Sequence, residues 1–175
     1  MRIFSIFKTL YRLLKGPSKY YLKGMNSNID SLSELVEIGD NFISAPGSII
    51  LSHDTSTVTH TGKLRIEKTV IGNNVFLGAN AVVLPGIKIG DGSIVGAGSI
   101  VTKNVPPGMV VVGNPAKVIT SVEKYMNKCE ERDVLYSLTS EVLEKHGTGI
   151  KMTPKEKSRS IQDLYQQYWR KNSNE

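Results

Sequence analysis

Three histidines, His53, His60 and His146, are the side chains of this 175-residue chain best suited to moving a proton near neutral pH. An imidazole can take a proton from a hydroxyl as that oxygen attacks an acyl carbon, and such help contributes typically ~10²–10⁴-fold in rate. His53 stands in Leu51-Ser52-His53-Asp54, where the following carboxylate either orients the loop or is simply solvated. His60 lies in the polar stretch after it and is the second candidate base, while His146, next to Gly147, reads as exposed. No metal site is expected, because zinc needs three or four converging ligands. No Gly-rich phosphate loop and no Ser-His-Asp set stand out. A second group is small rather than reactive. Gly78-Ala79 and Gly96-Ala97 are 18 apart and would leave a path for a long thin ligand that any larger side chain would block.

What must hold these residues is a six-residue period that runs unbroken from Val70 to Ile119. Ile71, Leu77, Val83, Ile89, Val95 and Val101 open successive hexads, and Thr69, Val75, Ala81, Ile87, Ser93 and Ser99 sit two residues before them. Six suits neither a helix at 3.6 nor a plain strand at 2. It suits a solenoid of short strands that turns a corner every hexad, three hexads to a coil, so that residues 18 apart stack about 4.8 Å from each other. The corners predict positive φ at Gly72, Asn73, Asn74, Gly78, Asn80, Gly90, Asp91, Gly92, Gly96 and Gly98. Upstream the hexad resumes at Val36, with Ile38, Ile43 and Ile49 as its inward residues and one corner tightened, since Ile38 to Ile43 is a step of five. Between Ser52 and Val70 the pattern stops, and an insertion in a solenoid must leave outward from a corner. The pattern does not choose the hand of the coil, and the usual preference for crossovers is right-handed.

The run from Val36 to Ile119, above all VIGNNVFLGANAVVLPGIKIGDGSIVGAGSIVTKNVPPGMVVVGNPAKVI, resembles the hexapeptide-repeat acyltransferases, in their sugar and polysaccharide O-acetyltransferase branch (maltose/galactoside acetyltransferase-like). That resemblance implies an all-β solenoid, a left-handed parallel β-helix against the usual hand, with flanking α-helices at both termini. It implies acetyl-CoA as acyl donor, a sugar or glycan acceptor, and a homotrimer with active sites between subunits. Leu-Ser-His-Asp matches the family's catalytic-histidine motif, which assigns His53 as the base. Gly78, Ala79, Gly96 and Ala97 match positions that meet the pantetheine arm, and Thr102, Lys103 and Lys117 match positions near its adenine and phosphate end. Some relatives carry a Ser at the place of Ala79 to steady the oxyanion; here backbone N–H groups would have to do so. An acceptor-binding Asn of the family has Asn26 and Asn28 as candidates.

The expected activity is transfer of acetyl from acetyl-CoA to a hydroxyl of a sugar or polysaccharide precursor by direct His-assisted attack, with no acyl-enzyme. N-acetylation of an amino sugar is the alternative, followed by a non-catalytic trimeric scaffold at the membrane surface. A metal-dependent hydratase of the same fold would need three histidines to meet, which the seven-residue spacing of His53 and His60 does not provide.

Net charge is +6 with pI near 9.4, which favours anionic partners. The basic residues are not interleaved with aromatics in the repeat, so nucleic acid is not expected. One cysteine, Cys129, excludes an intrachain disulfide and fits a reducing cytoplasm. The division expected is an N-terminal amphipathic helix over 1–18, a β-helix over 19–119 with an inserted loop at 54–69, and a helical extension over 120–175. Within the first part, Ile3, Ile6, Phe7, Leu10, Leu13 and Leu14 line one side of a basic helix too short to span a bilayer. Residues 1–15 either cover protein or make peripheral contact with the inner membrane surface. In the last part, Val122, Tyr125, Met126 and Cys129 space as a helix, as do Ile161, Leu164, Tyr165 and Tyr168, and Val134, Leu138 and Val142 suggest another. Thr153-Pro154-Lys155-Glu156 reads as a helix start. Gly147-Thr148-Gly149 reads as a linker.

Overall fold

In the computed structural model, residues 28–30, 32–145 and 152–173 are described. The expected N-terminal helix, Asn26, His146 and the Gly147–Gly149 linker lie outside them.

Short strands wind as a parallel solenoid with three walls. The first wall stacks β1 (Asn28–Ile29), β4 (Ile49–Ile50), β9 (Val82–Val83) and β12 (Ile100–Val101). The second stacks β2 (Val36–Ile38), β7 (Thr69–Ile71) and β10 (Lys88–Ile89). The third stacks β3 (Ile43–Ser44), β8 (Phe76–Leu77), β11 (Ile94–Val95) and β13 (Met109–Gly113), and β14 (Ala116–Ser121) returns antiparallel on β13. The 18-residue stacking is present in the register, with Ile94 beside Phe76, Lys88 beside Val70 and Ile100 beside Val82. Backbone bonds of 2.8 Å from Gly78 N–H to the Val95 carbonyl and from Gly96 N–H to that of Val111 tie coil to coil.

The core is the set that the hexad singles out. Ile71, Leu77, Val83, Ile89, Val95 and Val101 are at most 1% exposed, and each buried side chain contributes roughly 1.5–3 kcal/mol. The buried polar members keep partners, as hydroxyls must in an apolar interior. Thr69 Oγ1 donates to the Leu51 carbonyl at 2.6 Å, and Ser93 Oγ donates to that of Pro106 at 2.9 Å.

Upstream of the insertion the register differs from the expected one. Ser44 pairs with Leu77 and Ile50 with Val83, and both point inward, 3% and 0% exposed. Ile43 and Ile49 face outward instead. The inward residues are therefore Ile38, Ser44 and Ile50, evenly six apart, and no corner is tightened. A serine in an aliphatic slot, next to an outward isoleucine, produced the false step of five.

The corners also divide in a way the sequence reading did not separate. Asn74, Asn80, Gly92 and Gly98 do adopt positive φ, as do Asn41, Gly47 and Gly86. Gly72, Asn73, Gly78, Gly90, Asp91 and Gly96 do not. Gly78 is small for another reason: a Cβ there would come within 2.7 Å of the Gly96 carbonyl carbon in the next coil. Contact between successive coils, not backbone conformation, selects glycine at that place.

Between Ser52 and Lys68 the chain leaves the coil as an antiparallel pair, β5 (His53–Asp54) with β6 (Arg65–Ile66), joined through the short exposed helix α1 (Val58–Thr61). After β14, α2 (Val122–Glu131) begins at a Ser121 cap and follows the end of the solenoid. α3 (Ser140–Lys145) and α4 (Pro154–Asn172) complete the described chain, and α4 opens with the expected capping box between Thr153 and Glu156. Val134 and Leu138 are not helical. The Gln167 side chain meets both backbone groups of Ser137, at 3.1 and 3.0 Å, and so replaces the bonds a helix would supply. Among the described residues no helix is long and apolar enough to cross a membrane.

Candidate active site

His53 is the first residue of β5, where the chain quits the corner between the first and second walls. One coil below, Asp30 follows β1, and its side chain is 1% exposed. His53 Nδ1 lies 2.5 Å from Asp30 Oδ1, a close approach without the alignment of a linear hydrogen bond. The backbone N–H of His53 donates to Asp30 Oδ2 at 2.9 Å, the Ser52 N–H to the same oxygen at 2.6 Å, and Ser52 Oγ at 3.0 Å. The Leu32 N–H donates to Oδ1 at 3.1 Å. Burial alone would raise the Asp30 pKa. The donors from Ser52, Leu32 and His53 outweigh it and hold the carboxyl far below the ordinary carboxylate range. The anion is thus fixed beneath the imidazole, whose side chain keeps 24% exposure and leaves Nε2 as the nitrogen for a substrate.

Sequence reasoning missed Asp30 because the first coil had no readable register. The available signal was an acid directly after Ile29, one coil before the histidine at the break in the pattern. Asp54, the neighbour weighed instead, is engaged by the turn that follows it. It accepts from the Ser56 N–H at 2.7 Å, which lowers its pKa, and Arg65 and His53 add to that from a distance. His60 lies in exposed α1. Asn28 is in β1 beside Ile49.

The expected donor-binding residues fall on two corners. Gly78-Ala79 and Gly96-Ala97 stack at the corner between the third and first walls, with the Gly98 N–H donating to the Ala79 carbonyl at 2.8 Å. Ala97 and Gly98 are exposed there, and a Cβ on Gly98 would meet nothing within 4 Å, so the edge is open. Lys117, opposite Val112 on β14, continues the third wall beyond Ala97. Thr102 and Lys103 are exposed at the other corner, between the first and second walls, two coils above His53. Within one chain, then, His53, Thr102 and Lys103 share one edge, while Ala79, Ala97 and Lys117 share another. The width of the first wall separates them.

The family comparison matches residues 68–103 to the bacterial transferase hexapeptide family (six repeats). YvoF of Bacillus subtilis (strain 168), provisionally named an acetyltransferase, is 34% identical over 126 residues, 72% of this chain and 70% of that protein. The galactoside O-acetyltransferase of Escherichia coli (strain K12) is 44% identical over 91 residues, 50% of this chain and 44% of that enzyme. A solved galactoside acetyltransferase in complex with coenzyme A overlays with a TM-score of 0.49 at 32% identity, over 67% of this chain and 62% of that one. Tandem inward hexads, a three-walled parallel coil and an extended likeness to YvoF define the class: this chain belongs to the hexapeptide-repeat acetyltransferase family.

Proposed function

We propose that the protein transfers acetyl from acetyl-CoA to a hydroxyl of a sugar or polysaccharide precursor, with His53 as general base and Asp30 as its positioning residue. The observation that carries this reading is the Asp30–His53 pair at the point where the coil opens. His53 Nε2 takes the proton of the acceptor hydroxyl as its oxygen bonds to the thioester carbonyl carbon. The C–S bond then breaks, the thiolate leaves, and the imidazolium returns the proton to it. Asp30 supports the transient positive ring through Nδ1, as a buried carboxylate does for a histidine base elsewhere. No side-chain nucleophile is needed. The likeness to the galactoside O-acetyltransferase supports an O-acetyl product.

Acetyl-CoA fits the open corner chemically. Ala79, Ala97 and Gly98 offer backbone and no obstructing side chain, and Lys103 and Lys117 offer compact cations for phosphate groups. Their division between two edges supports a homotrimer. The outward residues of the first wall are Ile49, Val82 and Ile100, and those of the third are Ile43, Phe76 and Ile94. The second wall shows Glu37, Val70 and Lys88. Two different apolar walls per chain suit a closed ring, in which each interface joins unlike faces. The Ala79–Ala97 edge of one subunit would then meet the His53 edge of the next. The left-handed winding, the N-terminal amphipathic helix, and a cytoplasmic place with residues 1–15 at the inner membrane surface belong to the same reading.

The test is His53→Ala assayed for CoA release with a panel of sugars and glycans, with mass spectrometry of the product bond. The variant is expected to lose ~10²–10⁴-fold in kcat while still binding CoA. Undiminished turnover would remove His53, and an amide product would replace O-transfer by N-transfer.

A further inference from the structure

The side of α4 that carries Ile161, Leu164, Tyr165, Tyr168 and Trp169 has the spacing of a continuous apolar stripe. With Tyr136 these residues line an open groove of about 450 Å³. Trp169 and Tyr165 are each 62% exposed, Ile161 53% and Tyr168 46%, a concentration of large apolar surface that scattered exposure does not produce. The rings also brace one another. Tyr168 stands edge-on to Trp169 with centroids 5.4 Å apart, and Tyr136 lies 6.0 Å from Tyr168.

The charges around this stripe decide what can cover it. α4 carries Lys155, Lys157, Arg159, Arg170 and Lys171 against Glu156 and Asp163. Glu156 is already engaged by Lys145 at 2.5 Å, and Asp133 pairs with Lys171. At 100° per residue Lys155, Lys157 and Lys171 fall beside the stripe, Lys171 compensated by Asp133, while Arg159, Arg170 and Asp163 fall on the opposite side, so α4 as a whole carries an excess of cations. Residues 1–27 hold Arg2, Lys8, Arg12, Lys15, Lys19 and Lys23 and no acid, so that segment meets α4 with like charge. A second copy would bring the same excess of cations against itself. A complementary occupant is apolar within and anionic at its surface, and Tyr and Trp with Lys and Arg is the composition that settles at such a boundary.

We propose that the aromatic face of α4 docks on an anionic lipid bilayer, with the helix lying in the plane of the headgroups. This surface is made by α4 and Tyr136, and the proposal stands or falls independently of acetyl transfer. Trp169 is the single tryptophan of the chain, so its emission reports this face alone. The full-length protein is titrated with vesicles of phosphatidylglycerol mixed with phosphatidylcholine, and with phosphatidylcholine alone. The expected result is a blue shift of Trp169 emission on the mixed vesicles and quenching by brominated phosphatidylcholine placed in them. Binding should be at least tenfold weaker to neutral vesicles and should weaken as salt rises from about 0.1 to 1 M. Ile161→Ser with Tyr165→Ser, both at exposed positions, should lower binding at least tenfold while the circular dichroism spectrum is kept.

Co-sedimentation with vesicles while Trp169 stays unshifted and unquenched would overturn the proposal and place attachment elsewhere. Absence of binding would overturn it outright. A Trp169 shift that depends on protein concentration without lipid would assign the face to a second copy. A shift in lipid-free protein on removing residues 1–18 would assign it to that segment. Either result also overturns the lipid proposal.

Discussion

At the scale of single residues, the Asp30 carboxylate meets two demands at once. It satisfies the backbone where the chain leaves the coil, through the Ser52, His53 and Leu32 N–H groups, and it faces His53 Nδ1. Asp30→Asn keeps the volume and removes the charge. As the ring takes up its proton the 2.5 Å contact can align into a hydrogen bond between two charged groups, worth about 1.5–3 kcal/mol, so kcat should fall roughly 10- to 100-fold with the KM for acetyl-CoA unchanged. Because the native pKa of Asp30 lies below its unfolded value, the ionised group stabilises the folded protein above about pH 4. That contribution fades as pH falls below 4 toward the native pKa. Thermal melts should therefore show a gap between wild type and Asp30→Asn that is constant near neutrality and narrows in acid. Gly78→Ala tests the packing between coils. Its Cβ would press on the backbone at Gly96, and overpacking of that kind costs about 1–3 kcal/mol, visible as a lowered Tm.

Among the elements, the excursion β5–α1–β6 is the one whose removal should separate stability from function. Val58, His60 and Thr61 are exposed, and β2 stacks directly on β7 with no residue of the excursion between them. Replacing residues 56–63 by a two-glycine turn should move the melting temperature little and raise the KM for the acceptor severalfold in steady-state assays. That such an element exists was legible, because the hexad stops at Ser52 and a corner can expel chain where a wall cannot. The core from Ile71 to Val101 was legible for the same reason: aliphatic residues at a strict period leave one arrangement that buries them. Asp30 was not, since β1 stacks on β4 at a step of 21 in place of 18, and no period announces it. Ser44 misled because one hydroxyl in an aliphatic slot shifts the apparent phase. Leu138 misled because a side-chain amide from α4 competes with helical hydrogen bonds, and local spacing carries no sign of a partner 30 residues away.

For the whole molecule, the prediction concerns assembly. Val82 sits at the middle of the first wall between Ile49 and Ile100. Val82→Arg projects a cation outward without entering the core, so the chain should keep its circular dichroism spectrum. On the proposed homotrimer, sedimentation velocity should show dissociation, and activity should fall with it, because the proposed site draws on two subunits. A species that stays trimeric and active would remove the shared site. The stacking also sets the order in which the chain assembles. From Val70 to Val101 each strand finds its neighbour 18 residues away, and β13 stacks 16 residues after β11, but β2 and β4 must reach across 33 to β7 and β9. Loop closure grows only as the logarithm of length, so that longer reach costs about 0.5 kcal/mol more. Small as it is, this penalty favours the coils downstream of Val70 as the first to form, with β2 and β4 added to them afterwards.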